Sequence, residues 1–93
     1  MYMDMYELVF PVWLHGCTDS IQAEKVGEEA IEVMHALSER REDGDVSHVV
    51  DECIDTIQAS LNLIYLIAPD CDLQAAIMRN FMKNKRRGYI PQS

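Results

Sequence analysis

Apolar residues recur every three or four positions along three segments of the chain, which is the spacing of an amphipathic α-helix. The segments run roughly over residues 20–41, 46–67 and 72–86. No segment alternates apolar and polar residues in the way that predicts a strand. The predicted apolar stripe of the first helix contains Val26, Ala30, Val33 and Leu37, widened by Ile31 and Met34. That of the second contains Val49, Cys53, Thr56, Ser60, Leu63 and Ile67, broadened by Val50, Ile57, Leu61 and Ile64.

Helix boundaries are marked by capping and breaking residues. Thr18, Asp19 and Ser20 are candidate N-caps for the first helix, and Asp45 or Ser47 for the second. A polar turn at 42–45 is short enough to fold the second helix back on the first. The predicted fold is therefore all-α, an antiparallel helical hairpin followed by a C-terminal helix.

Residues 1–16 form a mixed apolar lead-in, predicted as one short helix ended by Pro11. Its aromatic residues are expected to be packing anchors, with base stacking as the alternative: Tyr2, Tyr6, Phe10 and Trp13.

The composition predicts one domain, residues 1–93, that associates with itself. Of its 93 residues, 48% are hydrophobic, more than a short chain buries easily in its own core. We therefore expect oligomerisation to complete a core like that of a four-helix bundle.

The charge is strongly acidic and unevenly distributed. A net charge of −8 argues against general nucleic-acid binding, which needs a basic surface. All 16 acids lie in residues 1–72, whereas residues 73–93 contain five Lys and Arg and no acid. No apolar run approaches membrane-spanning length, and the three cysteines match no zinc spacing. A reducing cytoplasm is the expected compartment.

One pattern of acidic residues occurs twice in the sequence. Residues 28–36 and 51–59 each begin with an acid pair, continue with a third acid three positions later, and have alanine four positions after that. At about 100° per residue, Glu29 and Glu32 lie at the same angles beside their apolar stripe as Glu52 and Asp55 beside theirs. Packing the helices antiparallel would bring four carboxylates together, which is costly without a cation. Hard oxygen ligands and few histidines indicate Mg²⁺, with Mn²⁺ possible, rather than zinc.

The segment 25–32, KVGEEAIE, followed by 52–55, ECID, resembles the ExxE…ExxD signature of the all-α nucleoside triphosphate pyrophosphohydrolases, a superfamily that includes MazG-like proteins. The resemblance covers residues 21 to about 88. It implies that Glu29, Glu32, Glu52 and Asp55 are the catalytic magnesium ligands, and that the chain forms a homodimer or homotetramer. The implied reaction converts a nucleoside triphosphate and water to a nucleoside monophosphate and pyrophosphate, with a dNTP or a non-standard NTP as the expected substrate.

Two alternatives stay open at this point. Residues 25–33 also resemble the KVGEEA-type motif of phosphoribosyl-ATP pyrophosphatases, although the RG-containing tail fits that family less well. A different class is a non-catalytic helical module that binds a nucleotide, a basic partner or a structural ion.

Basic residues near the C-terminus form an N-x-x-K-N-x-x-R-G run over residues 80–88, which resembles the tails of MazG-like proteins. We expect Lys83, Asn84 and Arg87 to bind substrate phosphates, while a simple complement to the helix dipole is the alternative. Lys25 lies one turn before Glu29 and is predicted either to bind phosphate or to form a salt bridge.

Overall fold

The computed structural model describes residues 18–90, without the side chains of residues 41 and 42. Three helices cover most of this range, α1 (Asp19–Asp43), α2 (Ser47–Ile67) and α3 (Leu73–Arg86), and the described residues contain no strand. The all-α prediction is therefore confirmed. The predicted lead-in helix and its aromatic residues lie outside the described residues.

Local side chains fix the helix boundaries. Thr18 is the N-cap of α1, and its Oγ1 accepts a hydrogen bond from the backbone N–H of Ile21 at 3.2 Å. α1 ends at Gly44, whose φ of +80° is a left-handed conformation that glycine adopts without strain. The N-cap of α2 is Val46, which makes no side-chain capping bond, so the prediction of Asp45 or Ser47 at that position is wrong. Asp45 Oδ1 instead accepts from the backbone N–H and the hydroxyl of Ser47 in the turn before the helix. Asp72 caps α3 by accepting from the N–H of Ala75 at 3.0 Å.

α1 and α2 pack against each other as an antiparallel hairpin. Gln22, near the start of α1, donates from Nε2 to the carbonyl of Ala59, near the end of α2, at 3.1 Å. Further along α1, Ala36 is 2% exposed, and Ala59 on α2 is 5% exposed. These two alanines are the only fully buried hydrophobic residues in the part of the chain described, so the helices meet along a seam of small and polar side chains.

The buried seam of the hairpin lies closer to the acidic residues than the predicted apolar stripe does. On α1 the buried residues are Gln22, Glu29 and Ala36, each seven positions from the next. This line is rotated by about 60° from the centre of the predicted stripe. Ile31 and Met34, expected to widen the buried stripe, are 54% and 69% exposed. The apolar arc of each helix is wider than one partner helix can cover, and the hairpin covers the edge that contains the acids.

α3 packs against neither α1 nor α2 within residues 18–90. The radius of gyration is 15.7 Å, whereas a compact domain of this length has about 12 Å. One face of α3 leaves four large apolar side chains exposed: Ile77, Met78, Phe81 and Met82. None of the three helices has the length and apolar character needed to cross a membrane.

Candidate functional site

Carboxylates from both helices of the hairpin meet at the middle of the seam. Glu29 of α1 and Glu52 and Asp55 of α2 each offer an oxygen within 4.8 Å of the other two. Glu29 and Glu52 are each 8% exposed, while Asp55 is open to solvent. The other two repeated acids, Glu28 and Asp51, are exposed and lie outside this group. We call Glu29, Glu32, Glu52 and Asp55 the acidic cluster.

Glu32 joins the cluster through Glu52. Its carboxyl group lies close enough to that of Glu52 to influence the Glu52 pKa. Burial raises the pKa of Glu52, and the neighbouring charges of Glu32 and Asp55 raise it further. The antiparallel packing thus concentrates negative charge that the side chains themselves do not balance.

Two basic side chains lie beside the cluster, those of Lys25 and His48. Lys25 Nζ is 2.9 Å from Glu29 Oε1, so the predicted salt bridge is present, and the hydrogen bond to Glu29 raises the pKa of Lys25. His48 Nε2 lies 3.7 Å from Glu52 Oε1. Both side chains are more than half exposed, where ion pairs contribute little stability. Lys25 remains placed to contact an anionic ligand as well.

One oxygen of the cluster has no partner. Glu52 Oε2 is buried and receives no hydrogen bond from the described residues. A buried carboxylate oxygen without a donor or a cation is destabilising. All of the ligand atoms offered by the cluster are carboxylate oxygens, which suit Mg²⁺ or Mn²⁺. The residues therefore fit a hard divalent cation.

A cleft of about 480 Å³ opens beside the cluster. Lys25, Glu29 and Asp55 line one end. The rest is lined by Ile21, Ala59 and three amide side chains, those of Gln22, Gln58 and Asn62. The sequence pattern predicted no function for these three amide side chains. A signal was nevertheless present, because Gln22 is seven residues before Glu29 and Asn62 is seven residues after Asp55, which places them two turns along the same helix faces.

The basic residues predicted to bind phosphate are not brought to the cluster within one chain. Lys83 and Arg87 are exposed and Asn84 is half-buried. None of the three lines the cleft, and α3 makes no packing contact with the hairpin in the described range. Their contribution to a phosphate site stays a prediction, and it depends on another arrangement of α3.

The raised pKa of Glu52 predicts how the metal-free protein responds to pH. Above glutamate's ordinary pKa of 4.5, and up to the raised value, the folded chain binds more protons at Glu52 than the unfolded chain does. The Glu52 contribution to the free energy of unfolding therefore increases as pH falls through that window. We expect Glu52→Gln to be more stable than wild type at pH 7.5 in EDTA, and the difference to narrow at pH 5.

Urea denaturation of both proteins at several pH values measures that difference. The neighbours of Glu52, namely Glu29, Glu32, Asp55, Lys25 and His48, are the same in both proteins, so the difference reports the charge of residue 52 together with its effect on those neighbours. A difference that stays constant from pH 7.5 to pH 5 would contradict the prediction.

Searches with this chain against protein-family models, characterised proteins and solved structures gave no match. The resemblance to the all-α pyrophosphohydrolases, stated from the sequence motifs, therefore stays a prediction.

Proposed function

We propose that this chain is a magnesium-dependent nucleotide pyrophosphohydrolase, which cleaves a nucleoside triphosphate to a nucleoside monophosphate and pyrophosphate. The observation that carries the proposal is the acidic cluster, with Glu52 Oε2 buried and unpartnered at its centre. Two helices bring together side chains that repel one another, and a divalent cation would relieve that repulsion.

The chain's own residues account for the binding side of this chemistry. Glu29, Glu52 and Asp55 would hold the cation, and Glu32, one turn after Glu29 on α1, would complete the set. A bound magnesium ion neutralises phosphate charge and lowers the pKa of a water molecule. Lys25, half exposed at the rim of the cleft, would exchange part of its contact with Glu29 for a phosphate oxygen.

Association between copies is part of the proposal. Lys83, Asn84 and Arg87 lie on a helix that does not pack on its own hairpin in the described residues. A homodimer or homotetramer would allow α3 of one copy to approach the acidic cluster of another. The basic charge of the tail is complementary to a triphosphate bound there.

A substrate panel tests the proposed function directly. The purified protein is incubated with Mg²⁺ and each common dNTP and NTP, several modified nucleotides and phosphoribosyl-ATP, and pyrophosphate is measured. We expect release from at least one triphosphate, dependent on Mg²⁺ or Mn²⁺ and abolished by EDTA. Hydrolysis of phosphoribosyl-ATP alone would identify the alternative pyrophosphatase. Nucleotide binding without pyrophosphate from any substrate would favour a non-catalytic module and overturn the proposal.

A further inference from the structure

The cleft beside the acidic cluster has a polar end that the proposed chemistry does not use. Gln22 is 8% exposed and Asn62 is 5% exposed, and both line the cleft. Glutamine and asparagine are mostly found at the surface of proteins. Two buried amides on facing helices therefore call for a physical reason.

In each of these amides, one of the two polar atoms is hydrogen-bonded by the described residues. Gln22 Nε2 donates to the carbonyl of Ala59 at 3.1 Å, and Asn62 Oδ1 accepts from Gln58 Nε2 at 3.0 Å. Residues 18–90 give no partner to Gln22 Oε1 or to Asn62 Nδ2. The first is an acceptor and the second a donor. The bond to a backbone carbonyl fixes the orientation of the Gln22 amide, because only its NH₂ group can donate there.

The position of the amides relative to the carboxylates fits a nucleotide. Asn62 lies seven residues from Asp55 along α2, and Gln22 lies seven from Glu29 along α1, a separation of about 10 Å. A nucleotide needs such a separation between its phosphates and its base. The cleft volume of about 480 Å³ falls within the ordinary range for small-molecule sites. Ile21 and Ala59 add an apolar wall against which a flat ring can pack.

We propose that Gln22 and Asn62 form a base-recognition subsite, in which the acceptor and the donor left free in the cleft pair with the hydrogen-bonding edge of the substrate's nucleobase. This inference rests on the proposed function. Nucleobase edges present a donor beside an acceptor, which a pair of fixed amide groups complements. Discrimination between bases then follows, because a base with the wrong edge leaves buried amide groups unpaired.

The test compares kcat/KM across a panel of triphosphates that differ only in the base. Asn62→Leu keeps the branched shape of the side chain and removes both its hydrogen-bond donor and its acceptor. We expect the ratio between the best and the poorest base to fall about tenfold or more. Gln22→Met provides a second variant in case the first does not fold, and circular dichroism checks both. Ser38→Ala removes an exposed polar side chain of α1 that does not line the cleft, and it should leave the ratio unchanged.

Ribose 5′-triphosphate, which has no base, separates a recognition defect from general damage. A variant that loses base discrimination should lose much less kcat/KM on this substrate than on the preferred nucleotide. Equal losses on all bases and on the base-free substrate would show that the amides only fasten the helices, and would overturn the subsite. If wild type releases no pyrophosphate from any triphosphate, the proposed function itself fails, and the inference fails with it.

Discussion

Replacing Glu52 by glutamine should reduce pyrophosphate release at least about 100-fold. Changing a residue that only supports a metal ligand typically lowers metal affinity or activity about 10–100-fold. Changing a buried carboxylate at the centre of the cluster should lower activity further. The substitution keeps the size of the side chain and removes the charge that would hold the cation. Rates are measured at saturating Mg²⁺ on the substrate that the panel identifies as preferred.

Metal binding should change together with activity. Titration calorimetry with Mn²⁺ is expected to show binding to wild type and loss of most of it in Glu52→Gln. Thermal unfolding gives a second readout, since Mn²⁺ at a hundredfold excess over its Kd should raise the wild-type Tm by about 10 °C or more. The variant should show little of this increase.

A matched control is available on α1. Glu39→Gln also removes one negative charge, but from an exposed residue that lies ten positions, or about 15 Å of helix, beyond Glu29. It should leave both the rate and the Mn²⁺ affinity within about twofold of wild type, because its charge is screened by solvent. Full activity in Glu52→Gln, or an equal loss in Glu39→Gln, would contradict the assignment of the cluster.

Much of the local structure follows from the sequence because short-range chemistry determines it. The cap at Thr18, the turn at Gly44 and the cap at Asp72 each depend on residues within four positions of one another. The meeting of Glu29 with Glu52 and Asp55 follows in the same way, because the acids repeat at one angle on two helices and the short turn makes those helices antiparallel. The helical periodicity and the short turn were sufficient to predict the antiparallel hairpin and the meeting of its acidic residues.

The orientation of the seam was not predictable from the same pattern. On each helix the apolar residues cover an arc wide enough to contact more than one neighbouring helix. The mean direction of these residues around the helix axis points to the centre of that arc. The hairpin instead buries Gln22, Glu29 and Ala36, because alanine allows the backbones to approach and Gln22 donates across the seam to the carbonyl of Ala59. The amide end of the cleft was missed for this reason, since the expected buried face was purely apolar.

The apolar surface left outside the hairpin leads to the second prediction. Val50, Ile54 and Ile57 are 55%, 45% and 45% exposed, and their spacing of four and three places them on one face of α2. A single chain that buries only two alanines fully among its described residues has little hydrophobic stabilisation. We therefore expect the protein to be a dimer or tetramer whose thermal stability falls on dilution.

Placing a charge on that face should dissociate the oligomer. In a symmetric dimer Ile54→Glu introduces two charges, each of which loses water on association, so Kd should rise about 30-fold or more. Light scattering coupled to size exclusion measures the mass, and circular dichroism over a concentration series reports whether the separated chain stays folded. Because the isolated hairpin has so small a core, we expect the variant to melt at a lower temperature or to be unfolded.

The same substitution elsewhere on α2 distinguishes association from general damage. Ile67 is 60% exposed and lies at the end of α2, about 80° around the helix from Ile57 and 140° from Ile54. Ile67→Glu should therefore keep the wild-type mass and most of its stability. A wild-type chain that is monomeric at micromolar concentration and stable on dilution would remove the basis for this face as an interface. It would also remove the proposed route by which Lys83 and Arg87 approach an acidic cluster, because α3 then has no second copy on which to dock.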